Sequence, residues 1–206
     1  MTIKAIIFDY GKVLTFPQPE WHIREMAKLL NTTEESFTEV YYSLRDLYDS
    51  GRINGKEYWQ KVAQSLNLIF FEEKLSEELI ELDLNSWFQQ NNDVWKLVSK
   101  LKKNYKTALL SNNIHELVEK MERELELEHF FDIIIFSNRV PFIKPEPEIY
   151  LHCLEKLSVK PDESVFIDDK IVNIDAAESL GIKGILFTSF SDLLIKLENI
   201  LGEKYE

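Results

Sequence analysis

Five short apolar runs constrain the fold more than anything else in this chain. KAIIF (4–8), KTALL (106–110), DIIIF (132–136), SVFID (164–168) and KGILF (183–187) are near-continuously apolar and do not alternate. A strand reads this way when both of its faces are covered, as in a parallel sheet. Helical patterns separate the later runs: IHELVEKMERELEL (114–127), PEIYLHCLEKL (147–157) and NIDAAESLG (173–181). The order predicts an α/β fold, a Rossmann-like, doubly wound parallel sheet with right-handed crossovers. Gly181 falls where a helix ends on a C-cap glycine. Pro145 and Pro147 suit the start of a helix and not its interior.

The stretch 16–92 breaks the rhythm. WHIREMAKLL, SFTEVYYSLRDLYDSG, NGKEYWQKVAQSL and LSEELIELDLNSWFQQ each carry a helical pattern with aromatics on one stripe, and no strand signal of comparable strength falls among them. This predicts an inserted helical domain over 16–92, with the sheet domain built from 1–15 and 93–206. The aromatics are expected to fill the insertion's own small core, with a few facing a ligand. The tail LLIKLENILGEKYE (193–206) predicts a terminal helix that frays.

Charge and cysteine usage narrow the function classes. The net charge of −12 over 206 residues argues against a nucleic-acid partner, which needs clustered Lys and Arg, and against an anionic membrane surface. A local cationic pocket for a small anionic substrate remains compatible with it. No protein partner is readable. No apolar run approaches the roughly 20 residues that cross a bilayer, and the N-terminus has no charged region followed by an apolar one. The single cysteine, Cys153, permits no intrachain disulfide and lies on a helical pattern, where it reads as a small buried apolar residue. The expected compartment is the cytoplasm.

Ligands of an open parallel sheet bind beyond the carboxyl ends of its strands. The first run ends in Asp9-Tyr10-Gly11, the second in Ser111-Asn112-Asn113, and the fourth in Asp168-Asp169; Lys144 follows the third at some distance. Each group has an ordinary explanation alone: Ser111 as a helix cap, the acid pair as an answer to a helix dipole, Lys144 as a surface charge. Together they bring an acid, a hydroxyl with amides, a cation and an acid pair to one sheet edge. These residue types suit a phosphoryl group. Asp9 and the acid pair offer hard oxygen ligands for Mg²⁺. Lys144 and the amides near Ser111 can neutralise and cradle phosphate oxygens. A metal-screened Asp9 could attack phosphorus to form an aspartyl-phosphate.

IIFDYGKVLT, LLSNN, the lysine of FIKPEPEIY and FIDDKIVNIDAAESLGIKGI together resemble the four ordered motifs of the haloacid dehalogenase (HAD) superfamily. The resemblance covers the core segments at both ends of the chain. It implies a Rossmann-like core, Mg²⁺ dependence and a helical cap, of the type inserted between the first two motifs, that closes over a small phosphorylated substrate. By this resemblance Asp9 is the nucleophile, Ser111 and Asn112 bind phosphate with Lys144, and Asp9, Asp168, Asp169 and the carbonyl of Gly11 hold the metal.

Gly11 breaks the pattern. Most phosphatases of this family carry a second aspartate there, which protonates the leaving oxygen and then activates water. Glycine has no side chain for that work, which is typically worth about 10²–10⁴-fold. The chain also resembles a subgroup whose first motif reads FD-x-G-[GN]-V, as does its GRINGKEYWQKV stretch. Some members of that subgroup hydrolyse sugar phosphates such as glucose 1-phosphate, whose anomeric leaving group is a good one. Three other readings are a binding module that has lost turnover, a 2-haloacid dehalogenase, and a phosphotransferase. The dehalogenase motif places its tyrosine one position later than Tyr10 and needs no metal. Lys12, His22 and His115 are the other candidates for the missing acid, each with an ordinary surface or helix role as the alternative. Asp175 is expected to face solvent, and Asn173 to order the loop of the acid pair.

Overall fold

The computed structural model describes residues 2–68 and 72–205. Five parallel strands form one sheet: β1 (Ala5–Phe8), β2 (Lys106–Ser111), β3 (Ile133–Phe136), β4 (Ser164–Asp168) and β5 (Lys183–Leu186), in the order β3-β2-β1-β4-β5. All five are the runs named above. Both faces of the sheet are covered, which is why the runs do not alternate. On one face Ile6, Phe8, Leu109, Val165 and Ile167 pack under α6 (Asn92–Leu101), α7 (His115–Glu124) and α11 (Phe190–Leu201). On the other, Ala5, Ile7, Ala108, Leu110 and Phe166 pack under α9 (Pro147–Leu157) and α10 (Ile171–Ser179). Cys153 lies in this second layer, where burial pushes its thiol up to about 12.

Between β1 and α6 the chain forms α1 (Glu20–Leu29), α2 (Glu34–Ser43), α3 (Arg45–Asp49), α4 (Gly55–Ser65) and α5 (Glu73–Ser86). Their interior is aromatic: Phe37, Tyr41, Tyr48, Tyr58 and Trp59 are fully buried. The way in and the way out lie side by side. Phe16 N–H donates to the Gln89 carbonyl at 2.8 Å, Asn91 N–H to Leu14 at 2.8 Å, and Thr15 bridges Gln90 antiparallel. This short two-stranded ribbon suspends the helices over the carboxyl edge of the sheet.

Element boundaries differ from the sequence reading in five places. SFTEVYYSLRDLYDSG is two helices, broken at Leu44 (φ −102°, ψ −4°), which turns α3 toward the sheet edge. LSEELIELDLNSWFQQ stops being helical at Ser86, where the chain enters the ribbon. The helix expected over 114–127 ends at Glu124, because Leu125 is extended (φ −119°, ψ 134°). A separate turn, α8 (Leu127–Phe130), follows; Phe130 and Phe131 then pack on Trp95, with ring centroids 4.8 and 5.9 Å away. Asn92–Leu101 forms α6, a helix that the sequence reading did not name. The terminal helix ends at Leu201, closed by Gly202 in the left-handed region (φ 75°), and Tyr205 folds back onto the core. Glu206 lies outside the described residues.

No described helix is long and apolar enough to cross a membrane. β5 lies so close to α10 that a Cβ on Gly184 would come within 2.5 Å of Ile174 Cγ2 and 2.9 Å of Glu178 Oε1. Gly184→Val therefore forces the sheet and helix apart and is expected to cost about 1–3 kcal/mol, read from urea unfolding midpoints. A variant as stable as the parent would show that this layer gives way freely.

Candidate active site

Register brings the strand ends together. Phe8 pairs with Leu109 on one side and Ile167 on the other, so β2 and β4 end within two residues of the end of β1. Asp9 follows β1, Ser111 ends β2 and Asp168 ends β4. Asp9 N–H donates to the Ile167 carbonyl at 2.9 Å, which fixes its backbone to the neighbouring strand. The ordinary explanations fail for Ser111 and Lys144. The N-cap of α7 is Ile114 and not Ser111. Lys144 is buried at 4% exposure, which no surface charge would be.

Lys144 is the hub. Its Nζ lies 2.8 Å from Asp9 Oδ1 and 2.6 Å from Asp168 Oδ2. Ser111 Oγ donates to the same Asp9 oxygen at 2.7 Å. Burial alone would lower the lysine's pKa, but Asp9 and then Asp168 outweigh it and hold the ammonium above its ordinary value. Burial pushes Asp9 up to about 6, with Lys144 pulling against it and Asp168 adding to it. Asp168 is held in place: Asn173 Nδ2 donates to both its oxygens at 3.0 Å, and Lys170 N–H to Oδ1 at 2.8 Å. Asn173 thus orders the acid pair, as expected, and Asp175 is exposed.

Carboxylate oxygens of Asp9, Asp168 and Asp169 all lie within 4.8 Å of one another. Three hard oxygen donors at that spacing fit a small divalent cation. Such a charge would also offset the burial that opposes ionisation of Asp9. Lys12, in the left-handed region (φ 58°), places its ammonium 3.4 Å from Asp169.

Asn112 behaves differently from Ser111. Its side-chain amide donates to the Lys144 carbonyl and its Oδ1 accepts from Lys144 N–H, both at 2.9 Å. The side chain is a clamp on the lysine loop, which leaves its main chain to face a ligand. Asn113 supports Ser111, donating from Nδ2 to its Oγ at 3.1 Å.

A cavity of about 270 Å³ opens above these residues, small for a ligand site. Asp9, Gly11, Ser111, Lys144 and Asp169 line its sheet side. Its far side comes from the helical insertion: Tyr42, Arg45, Asp46, Asp49 and Trp87. Sequence reasoning did not single these out. Arg45 is ringed by Tyr41, Tyr48, Tyr58 and Trp87 at 5.1–5.9 Å. It pairs with Asp49 at 2.8 Å and with the fully buried Asp83 at 2.8 Å. The spacing of Tyr41, Arg45 and Tyr48 on one helical face was the available signal. His22 and His115 do not line the cavity. His22 is buried in α1 beside Trp21, and burial lowers its pKa; His115 is exposed and pairs with Glu119.

Residues 3–181 match the model of the haloacid dehalogenase-like hydrolases. The chain belongs to that family. Bifunctional epoxide hydrolase 2 of Rattus norvegicus is 35% identical over 108 residues, covering 50% of this chain and 20% of that protein. The phosphorylated carbohydrates phosphatase of Thermotoga maritima is 39% identical over 83 residues, covering 40% of this chain and 38% of that one. The chain thus spans well under half the length of these relatives. The fold is also that of HAD family enzyme bt-2542 of Bacteroides thetaiotaomicron, solved with magnesium and inorganic phosphate. That structure has a TM-score of 0.74 and 22% identity, covering 93% of this chain and 98% of that one.

Removing the hub should expose what it holds apart. Lys144→Met leaves Asp9 and Asp168 facing each other in a buried site, and is expected to cost about 3–5 kcal/mol without metal. Added Mg²⁺ should recover part of that in a urea titration. Full stability in the metal-free variant would mean the two carboxylates do not repel as placed.

Proposed function

We propose that the chain is a Mg²⁺-dependent phosphatase that hydrolyses a small phosphorylated metabolite through an aspartyl-phosphate on Asp9. One observation carries this reading: Asp9, buried at the sheet edge, touches Ser111 and Lys144 and shares a 4.8 Å cluster with Asp168 and Asp169. Asp9, Asp168, Asp169 and the Gly11 carbonyl would hold the cation, whose charge screens the nucleophile from phosphate. Lys144, the Ser111 hydroxyl and the main chain of Ser111-Asn112 would bind the phosphate oxygens. Asp9 attacks phosphorus, the ester bond breaks, and water then displaces the phosphoryl group from Asp9. The helices of 16–92 act as a cap on the core of 1–15 and 93–206, and Tyr42 and Trp87 meet the part of the substrate beyond phosphate. The single buried thiol fits a cytoplasmic setting.

A sugar phosphate is the favoured substrate class. The cap side of the cavity offers aromatic faces and carboxylates, Tyr42, Trp87, Asp46 and Asp49, which suit a neutral polyol. Its one cation, Arg45, is engaged by two carboxylates and has little left for a second anionic group. A relative acting on phosphorylated carbohydrates, by its name, agrees. The second reading, a binding module without turnover, rests on Gly11.

Phosphate release from a panel of sugar phosphates, nucleotides and acyl phosphates separates the two. The expected result is Mg²⁺-dependent release that chelator and Asp9→Asn abolish, with Asp168→Ala weakening the metal response. Release that survives Asp9→Asn would remove the nucleophile. Binding of panel members without release would favour the module.

A further inference from the structure

We propose that Asp49, on α3 above the cavity, is the general acid and base of the reaction, supplied by the helical insertion in the place that Gly11 leaves empty. This rests on the phosphatase reading. A Cβ built on Gly11 meets nothing within 4 Å, so the space for an acid beside Asp9 is open but no side chain enters it. The cavity is lined by two carboxylates outside the cation cluster, Asp46 and Asp49. They differ in how they are held. Asp46 is exposed. Asp49 is fixed from three directions.

First, Arg45 donates to Asp49 from Nε at 3.1 Å and from Nη2 at 2.8 Å, both to Oδ1. Among the described residues no hydrogen bond reaches Oδ2, which leaves that oxygen for a substrate or water. Second, Arg45 cannot swing away with it, because Nη1 is tied to Asp83 and to the Tyr41 hydroxyl. Third, a chain of hydrogen bonds runs from Asp49 to the nucleophile. Ser137 Oγ donates to the Asp49 carbonyl at 2.7 Å and accepts from Asn113 N–H at 3.1 Å. Asn113 Nδ2 donates to Ser111 Oγ, which donates to Asp9 Oδ1. The position of α3 is therefore set relative to Asp9 by five linked residues. Burial raises the Asp49 carboxyl's pKa, against the pull of Arg45 and of Lys170 across the cavity, in the direction an acid needs.

The steps balance. Asp9 bonds to phosphorus as the phosphorus–oxygen ester bond breaks. The leaving oxygen takes the electron pair and the proton of Asp49, and departs as an alcohol. Asp49, now a carboxylate, takes a proton from water as that water attacks phosphorus. The bond to Asp9 breaks, phosphate leaves, and Asp9 and Asp49 return to their starting forms. Because the acid rides on the insertion, the site is complete only while α3 is seated on the core.

The test compares Asp49→Asn with wild type on a panel of sugar phosphates and on p-nitrophenyl phosphate, whose leaving group needs no proton. For the best sugar phosphate, kcat/KM should fall about 10²–10⁴-fold. For the aryl ester it should change little, and a burst of nitrophenol equal to the enzyme should appear as the phosphoenzyme waits for a base. Adding Gly11→Asp to Asp49→Asn should restore turnover of the sugar phosphate, which a merely unfolded or displaced variant could not do. Equal losses on both esters without that rescue would overturn the assignment and make Asp49 a partner of Arg45 only. Unchanged constants on both, with Asp9→Asn still inactive, would overturn it while leaving the phosphatase reading intact. Release from no ester by wild type would overturn both.

Discussion

The site depends on one buried cation set between two carboxylates. Lys144 touches Asp9 and Asp168 at once. Two acids at adjacent strand ends would repel in a medium of low dielectric, and breaking such a pair by removing one partner costs several kcal/mol. The parallel register places them side by side, and the loop after β3 must therefore deliver a lysine between them. The Asn112 clamp on the lysine's own peptide groups explains how a loop keeps that appointment. Ser111 and Asn173 donate to the same two carboxylates, and Asn113 to Ser111, so the polar centre of the sheet edge is ordered before a ligand enters. The oxygens of Asp9, Asp168 and Asp169 that cluster within 4.8 Å are where a cation would enter.

The second constraint comes from the insertion. A ribbon of two hydrogen bonds and one bridge carries the helices away from the sheet and back. Among the described residues, two main-chain groups of the insertion are also seated on the core: the Asp49 carbonyl on Ser137, and Gly55 N–H, at the N-terminus of α4, on the Glu116 carboxylate of α7 at 2.7 Å. Both join main chain of the insertion to side chains of the core, so they fix position without dictating which residues face the substrate. The Arg45 cluster does that. Its aromatic ring and paired acids hold α3 rigid, and rigidity there is what a group acting on a leaving oxygen requires.

Much of this was legible in the sequence. The five strands declared themselves because both their faces are buried, and Asp9, Ser111, Lys144 and Asp168 because chemistry-bearing residues followed them. What escaped had physical causes. The Leu125 break is set by the docking of Phe130 and Phe131 on Trp95, a contact between distant segments. The Arg45–Asp83 pair joins residues 38 apart on different helices. Helical periodicity told which residues of the insertion were apolar, but not which of its faces meets the sheet edge. The motif resemblance named Asn112 as a phosphate-binding residue without saying which of its groups would serve; its side chain is committed to Lys144.

The central claim is that Asp9 carries the phosphoryl group in turnover. The direct measurement is acid-quenched mass spectrometry of the protein during turnover of its best substrate with Mg²⁺. The account predicts a hydroxylamine-labile phosphoryl adduct on the peptide containing Asp9, absent with chelator and in Asp9→Asn. Steady phosphate release with no adduct at Asp9, in wild type and in Asp49→Asn alike, would contradict it and point to direct attack by water.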